Sequence, residues 1–373
     1  MNILHTVESY YPARNGMAEV VRQISENLVK KGHTVTVATS VHPDRDTCEI
    51  NGVHIEEFDD MGVYRDFLLE NDYDYDIITN FAAQQWATDT ILPCLPCIHT
   101  KKVFVPTGFS GLNLPQYKEY YEQMPGWMRQ YDACVFPSDT YQDIAFAREH
   151  GIKNPHVIPN GASVEEFMAE YPGNIREELG IPEDHFLILL VGSHTGQKGH
   201  KKAIEIFRRA NLPKSSLVIV GEPSNPFCFY SCKIDEWMTP GLKVLQLPRD
   251  QTVALYHAAD LFLFPSNIEC SPIVLFECMA SRTPFLVTDV GNAKEIIKWS
   301  GGGALLPTTK DERGFSHADI PGSVAALIGI YWDMTRQMFM QANGIKAWYD
   351  RFTWEKIAGQ YESLYQSLLA GET

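Results

Sequence analysis

Apolar positions along this chain fall into two kinds of segment that take turns. Residues 2–7 (NILHTV) form a short continuous apolar run of the kind a buried strand shows. A segment rich in turn formers follows, Tyr11 to Met17. In AEVVRQISENLVKKG the apolar residues Val20, Val21, Ile24 and Leu28 recur at helical spacing, with Gly32 as the stop. HTVTVAT is the next strand. Strand, helix, strand in this order predicts a parallel sheet with a right-handed crossover. VHIEEF, DIITNF, VFVPT and ACVFPS supply further strands. The pattern restarts at HFLILLVG (185–192), followed by the helix GHKKAIEIFRRA and the strand SLVIVG. VLQLP, LYHAA and DLFLFPS continue it. Gly, Pro and charged residues cluster at 161–184, which reads as a linker. FTWEKIAGQYESLYQSLL (352–369) has the length and spacing of a closing helix.

Candidate chemistry concentrates at 265–297, PSNIECSPIVLFECMASRTPFLVTDVGNAKEII. Glu269 precedes a turn-like Cys270-Ser271-Pro272, and Glu277 lies on an apolar helix that runs to Ser281. A carboxylate accepts hydrogen bonds and donates none, so two of them suit a ligand rich in donor hydroxyls, such as a sugar. A second constellation is VGSHTGQKGHKKAIEIF, where a strand ends, a Gly-containing loop follows, and a helix begins near Gly199. A helix N-terminus offers unpaired N–H groups and the positive end of a dipole, and Lys198 adds a full charge. This is a diphosphate cradle, with neither P-loop nor G-x-G-x-x-G spacing.

The first constellation resembles the E-x7-E signature of the retaining, nucleotide-sugar-dependent glycosyltransferases of family 4. Pro265-Ser266, Met279-Ala280, Thr283-Pro284, Asp289-Val290-Gly291 and Glu295-Ile296 also fall where that family has them. The resemblance implies an α/β GT-B fold, with two Rossmann-like parallel-sheet domains facing a central cleft. An acceptor-side domain would span 1–165, with the C-terminal helix 352–369 crossing back onto it, and a donor-side domain would span 183–345. Glu277 would hold the ribose hydroxyls and Glu269 the hydroxyls of the transferred sugar. Lys198 and Gly199 would meet the donor phosphates, with the N–H groups of Cys270 and Ser271 in reach of sugar or diphosphate.

Four positions depart from the family pattern. Ser193 stands where an Arg is usual in the phosphate clamp, leaving His194, Lys201 or Lys202 as substitutes. Gly16 keeps one glycine of a Gly-Gly pair. Thr107 occupies the place of a sugar-contacting His. Ser163 replaces an Asp after Asn160-Gly161, which reads as a turn near the hinge.

The remaining signals narrow the picture. The first 160 residues hold 12 Lys/Arg against 22 Asp/Glu, within a net charge of -16, which argues against nucleic acid and against a broadly polybasic membrane face. No apolar run is long enough to span a bilayer, leaving peripheral membrane contact at most. MNILHTVESYYP reads as a first strand rather than a secretion signal. The eight cysteines read as free thiols of a reducing cytosol, including Cys94 and Cys97, which lack a second half-site. The acids Asp72, Asp74 and Asp76 read as a solvated loop with no metal, and His99 as a surface residue. Tyr117, Tyr120, Tyr121 and Trp127 are candidates for stacking on an acceptor sugar, with packing inside the domain as the alternative. NPFCFYSCKIDEWMTPG (225–241) reads as an apolar, insertion-like loop.

The function these residues imply is transfer of a sugar from a nucleotide-diphosphate sugar, as co-substrate and without cofactor or metal, to a glycan or lipid-linked hydroxyl. It would occur in the cytoplasm or at the inner membrane face, in surface polysaccharide or glycolipid assembly. A non-catalytic nucleotide-sugar-binding or partner subunit and a nucleotide-sugar 2-epimerase are the alternatives.

Overall fold

The computed structural model describes residues 1–13 and 15–371; Arg14, inside the turn-rich segment after the first strand, lies outside them. The chain divides into two units, Met1–Asn160 with Trp354–Thr373, and Gly161–Thr353. Each is built on its own sheet.

Unit 1 contains β1 (Asn2–Thr6), β2 (Thr34–Ser40), β3 (Glu49–Ile50), β4 (Val53–Phe58), β5 (Ile77–Phe81), β6 (Lys101–Val105), β7 (Ala133–Phe136) and β8 (Pro155–Val157). They lie in the order β3-β4-β2-β1-β5-β6-β7-β8, parallel except for the antiparallel edge pair β3–β4. Helix Gly16–Lys30 forms the first crossover: the Asn15 side chain caps its Ala18 N–H, Glu19 lies in its first turn and Lys30 in its last. The closing helix Trp354–Ala370 packs against it in the same unit. Tyr365 of that helix bonds Thr79 Oγ1 on β5 at 2.7 Å, and Glu362 pairs with Lys31 and His33. The chain therefore returns to its first unit, as the resemblance implies.

Unit 2 contains β9 (Phe186–Val191), β10 (Ser215–Val220), β11 (Leu242–Leu245), β12 (Leu261–Phe264), β13 (Phe285–Val287) and β14 (Gly303–Leu305), all parallel, in the order β11-β10-β9-β12-β13-β14. A parallel sheet is covered on both faces, so its strands read as unbroken apolar runs. Leu187, Ile188, Leu189 and Leu190 of β9 accordingly have no exposed surface.

Three expectations change. The segment read as a linker belongs to unit 2: Phe167, Ile175 and Ile181 join its core. Residues 225–241 are no loop but carry a helix, Pro226–Met238, capped by Asn225 with Pro226 at its start. Asp72 is buried rather than solvated, because its carboxylate accepts from the His99 N–H at 2.7 Å and so ties that turn to the next connection. The His99 side chain is exposed, as expected. Among the described residues no helix is long and apolar enough to cross a membrane.

Candidate active site

In an open, doubly wound sheet, ligands bind outside the carboxyl ends of the strands where the strand order reverses. In unit 2 that point lies between β9 and β12. The loops leaving these two strands carry Lys198 and Glu269. Lys198 Nζ lies 2.7 and 2.9 Å from the two carboxylate oxygens of Glu269, and Ser266 Oγ donates to Oε1 at 2.8 Å. The pair is sheltered, with side-chain exposures of 27% for Lys198 and 10% for Glu269. Two residues 71 positions apart thus form one ion pair at the mouth of the switch point.

Close backbone approach makes this possible. Gly199 (φ +75°) caps helix His200–Ala210, and a Cβ there would sit 2.0 Å from the Pro265 carbonyl. Asn267 N donates to Gln197 O at 2.8 Å, stitching the two loops together. On the other side, Gly291 (φ +54°) lets its backbone come within bonding range of the acid-bearing loop. A Cβ there would lie 2.3 Å from Cys270 O, and the next residue, Asn292, donates its N–H to that oxygen at 2.9 Å. Cys270 is half-buried and Ser271 buried in the same turn, just before helix Ile273–Ala280.

Glu277 is buried on that helix, and its carboxylate has a partner that sequence reading missed. Arg249, at the start of helix Arg249–Ala258, places Nη2 2.6 Å from Glu277 Oε1. The same guanidinium donates to Glu166 Oε2 at 2.7 and 3.0 Å and lies over the Phe167 ring. Glu166 is carried by the short helix Val164–Phe167, whose N-cap is Ser163, accepting from Glu166 N. Ser163 therefore has a local task, and the residues after the unit boundary support Glu277 through Arg249. Burial and the Glu277 charge push the neighbouring Tyr256 hydroxyl well above its usual range.

Ser193 is half-buried at the start of the phosphate-loop candidate. His194, next to it, is fully buried and stacks on His200 with ring centroids 4.1 Å apart. Burial lowers His194 to about 4 and His200 to about 3, so neither adds a cation near neutral pH. Lys201 pairs with Asp235, and Lys202 bonds Asn267 and His317.

In unit 1, Gly16 is exposed at the first turn of its helix. Thr107, half-buried after β6, has φ +58° and sits among other left-handed residues, Ala82 (+67°), Gln84 (+60°) and Phe109 (+50°). The aromatic candidates hold these loops in place. Tyr121 is buried and donates to Gln84 Oε1 at 2.9 Å, while Tyr120 donates to Asp89 at 2.7 Å and accepts from Gln84 N. Tyr117 and Trp127 pack half-buried against the same core. A cavity of about 280 Å³ opens beyond β2 and β4, walled by Ser40, Phe58, Asp59 and Trp86.

Comparison with known proteins adds independent bearings. Residues 14–166 match the model for glycosyltransferase family 4, and residues 173–317 the model for glycosyl transferases group 1. An uncharacterized glycosyltransferase of Methanocaldococcus jannaschii is 26% identical, aligned over 95% of this chain and 96% of its own. Sucrose-phosphate synthase from Thermosynechococcus elongatus shares the fold with a TM-score of 0.81 at 20% identity, over 99% of both chains. Anabaena HepE, solved in complex with UDP-glucose, does so with a TM-score of 0.77 at 16% identity, over 98% of this chain and 100% of its own.

Proposed function

Because the chain belongs to the family 4 glycosyltransferases, we propose that it moves a sugar from a nucleotide-diphosphate sugar to a hydroxyl acceptor with retention at the anomeric carbon. The observation that carries the reading is the Lys198–Glu269 pair at the switch point of unit 2, beside the N-terminus of helix His200–Ala210. One cation and a row of helix N–H groups suit a diphosphate, and an adjacent carboxylate suits sugar hydroxyls. Glu277, fixed by Arg249, would take the ribose hydroxyls.

In the step we infer, the bond from the anomeric carbon to the diphosphate oxygen breaks. A bond to the acceptor oxygen forms on the same face, and the acceptor proton passes to the departing diphosphate. The protein's contribution is electrostatic: Lys198 and the helix N-terminus meet charge developing on the leaving group, with no metal in the step. The site lies on the cytoplasmic side, and a glycan or lipid-linked hydroxyl of surface polysaccharide or glycolipid assembly is the acceptor class to try first.

The test is a thermal-shift screen against nucleoside diphosphates and nucleotide sugars, UDP sugars first in view of the UDP-glucose complex of Anabaena HepE. Ligand that binds only the folded state raises the melting temperature. A shift with one nucleotide family, lost in Glu277→Gln, is expected; no shift in a folded sample overturns the donor assignment. A second reading, donor binding without transfer, is favoured by Ser193, which leaves the clamp short of one cation. Binding without product in turnover assays would select it.

A further inference from the structure

Helix Pro226–Met238 places Cys228 and Cys232 one turn apart, so both project toward the same neighbours. Those neighbours are the loop after β9 and the first residue of helix His200–Ala210. Cys228 Sγ lies 3.5 Å from His194 Nδ1 and 3.9 Å from His200 Nδ1. Ligand atoms of His194, Cys228 and Cys232 all fall within 4.8 Å of one another. A tetrahedral zinc, with Zn–N about 2.0–2.1 Å and Zn–S about 2.3 Å, holds nitrogen and sulfur ligands roughly 3.5–3.6 Å apart. The side chains already stand near the corners of such a site.

Their surroundings agree. His200 Nε2 is 2.9 Å from Gly192 O, so that nitrogen carries the proton and Nδ1 keeps its lone pair for the Cys228 side. His194 has no exposed surface and turns Nδ1 toward Cys228. The loop is tied to this helix on the backbone too: His194 N donates to Glu222 O at 2.8 Å, and Asn225 N to His194 O at 2.6 Å.

We propose that His194, Cys228 and Cys232 bind a zinc-class divalent cation, with water at the fourth corner. Both thiols lose their protons to solvent on binding. Two thiolates with an imidazole in a tetrahedral set favour Zn²⁺ over oxygen-seeking Mg²⁺ or Ca²⁺. The ion pins the Ser193–Gly199 loop, which presents Lys198, to helix Pro226–Met238. It is a structural ion of the loop and takes no part in the transfer step.

Untagged, reduced protein is dialysed against zinc and then buffer, and its metal content is measured. The result expected is about one zinc per chain. Cobalt-loaded protein should show thiolate-to-cobalt charge transfer with the visible bands of a tetrahedral site. Cys228→Ser with Cys232→Ser should lose the ion, while Cys134→Ser, which removes a buried thiol of unit 1, should keep it. Alkylation mapping on the unaltered protein guards against a variant that fails to fold. Cys228 should label only after chelation, and the exposed Cys48 and Cys97 in both states. Absence of zinc and of the cobalt band in folded, reduced protein overturns the proposal. So does a double variant that retains the ion, or a Cys228 that labels equally with and without chelator.

Discussion

The loops at the carboxyl ends of the two sheets are held by different physics. In unit 2 the holding groups are charges: Lys198 on Glu269, and Arg249 between Glu166 and Glu277. In unit 1 the loops after β5 and β6 are held instead mainly by uncharged hydrogen bonds at strained backbone positions, with Asp89 the carboxylate among them. Gln84 and Thr107 sit at positive φ, Tyr120 and Tyr121 bond Gln84, and Gln142 reaches the Gly108 and Phe109 carbonyls at 2.9 and 2.7 Å. A charged pair loses its role when either partner goes, whereas a neutral lattice spreads its strength over many weak bonds. Substitutions should therefore act sharply at these unit 2 pairs and gradually in the loops after β5 and β6 of unit 1.

The sharpest break of that contrast is Lys198→Ala. If Lys198 acts as a preorganised donor to the leaving diphosphate, its removal raises the barrier by about 2–4 kcal/mol, a fall of roughly 30- to 1,000-fold in turnover. Steady-state kinetics with the donor identified by thermal shift checks it. Unchanged turnover in a folded variant would sink the assignment.

Acid probes the neutral side of the comparison. His5 lies buried on β1, bonded to Ser25 Oγ at 2.8 Å and Tyr365 OH at 3.3 Å, and burial lowers it to about 3. Its unfolded value is near 6.5, so between about 3 and 6.5 the unfolded chain binds the extra proton. Stability from this residue is present above pH 6.5 and declines as pH falls, by about 2 kcal/mol at pH 5. Denaturant unfolding at pH 7.5 and 5 measures it. His5→Gln should reduce that difference by about 2 kcal/mol, the remainder belonging to other buried histidines such as His194 and His200, and an equally steep loss in the variant would assign it elsewhere.

Arg249 tests the charged side at a position sequence reading did not find. Arg249→Ala leaves Glu277 buried with its cation gone. Breaking a buried pair costs about 3–5 kcal/mol, but Arg249 is 41% exposed and water can reach the vacated space, so about 2 kcal/mol is expected. Combining it with Glu277→Gln should recover part of the loss in urea unfolding, because the stranded charge is then removed. Additive losses would show that Arg249 acts by packing on Phe167 instead.

What the sequence revealed follows the same division. Strands β1, β9 and β12 were legible because doubly covered strands are short continuous apolar runs, and β4 because its apolar residues Val53 and Ile55 alternate with polar ones. Lys198, Glu269 and Glu277 were legible because charge beside a turn or an apolar helix stands out. Arg249 was not, since a lone Arg opening a helix reads as solvated until folding brings Glu166 and Glu277 to it. Helix Pro226–Met238 inverts the usual pattern: its outward side carries Phe227 and Trp237 at 90% and 89% exposure, so hydrophobic periodicity pointed nowhere. Its cysteines escaped because their metal partners come from a different loop, and no linear spacing announces them. Tyr120 and Tyr121 stayed open between sugar platform and domain packing, because composition cannot show that Gln84 and Asp89 engage their hydroxyls. The solvated reading of Asp72 failed for the same reason, its N–H donor arriving from 27 residues away.

The smallest effect expected discriminates most finely. Ala82 follows β5 at φ +67°, a conformation that costs a non-glycine residue about 1–2 kcal/mol. Glycine would remove that strain but would add unfolded-state entropy, which takes back about 0.4–1 kcal/mol. Ala82→Gly should therefore leave stability unchanged or raise it by up to about 1.6 kcal/mol, measured by urea unfolding. If the strained loop positions acceptor groups, turnover should fall in the same variant, since the backbone freed of strain also samples other conformations. Stability gained with turnover intact would show that left-handed residues here close the turn and nothing more. Stability gained with turnover lost would identify unit 1 as the half in which strain, rather than charge, sets the geometry of transfer.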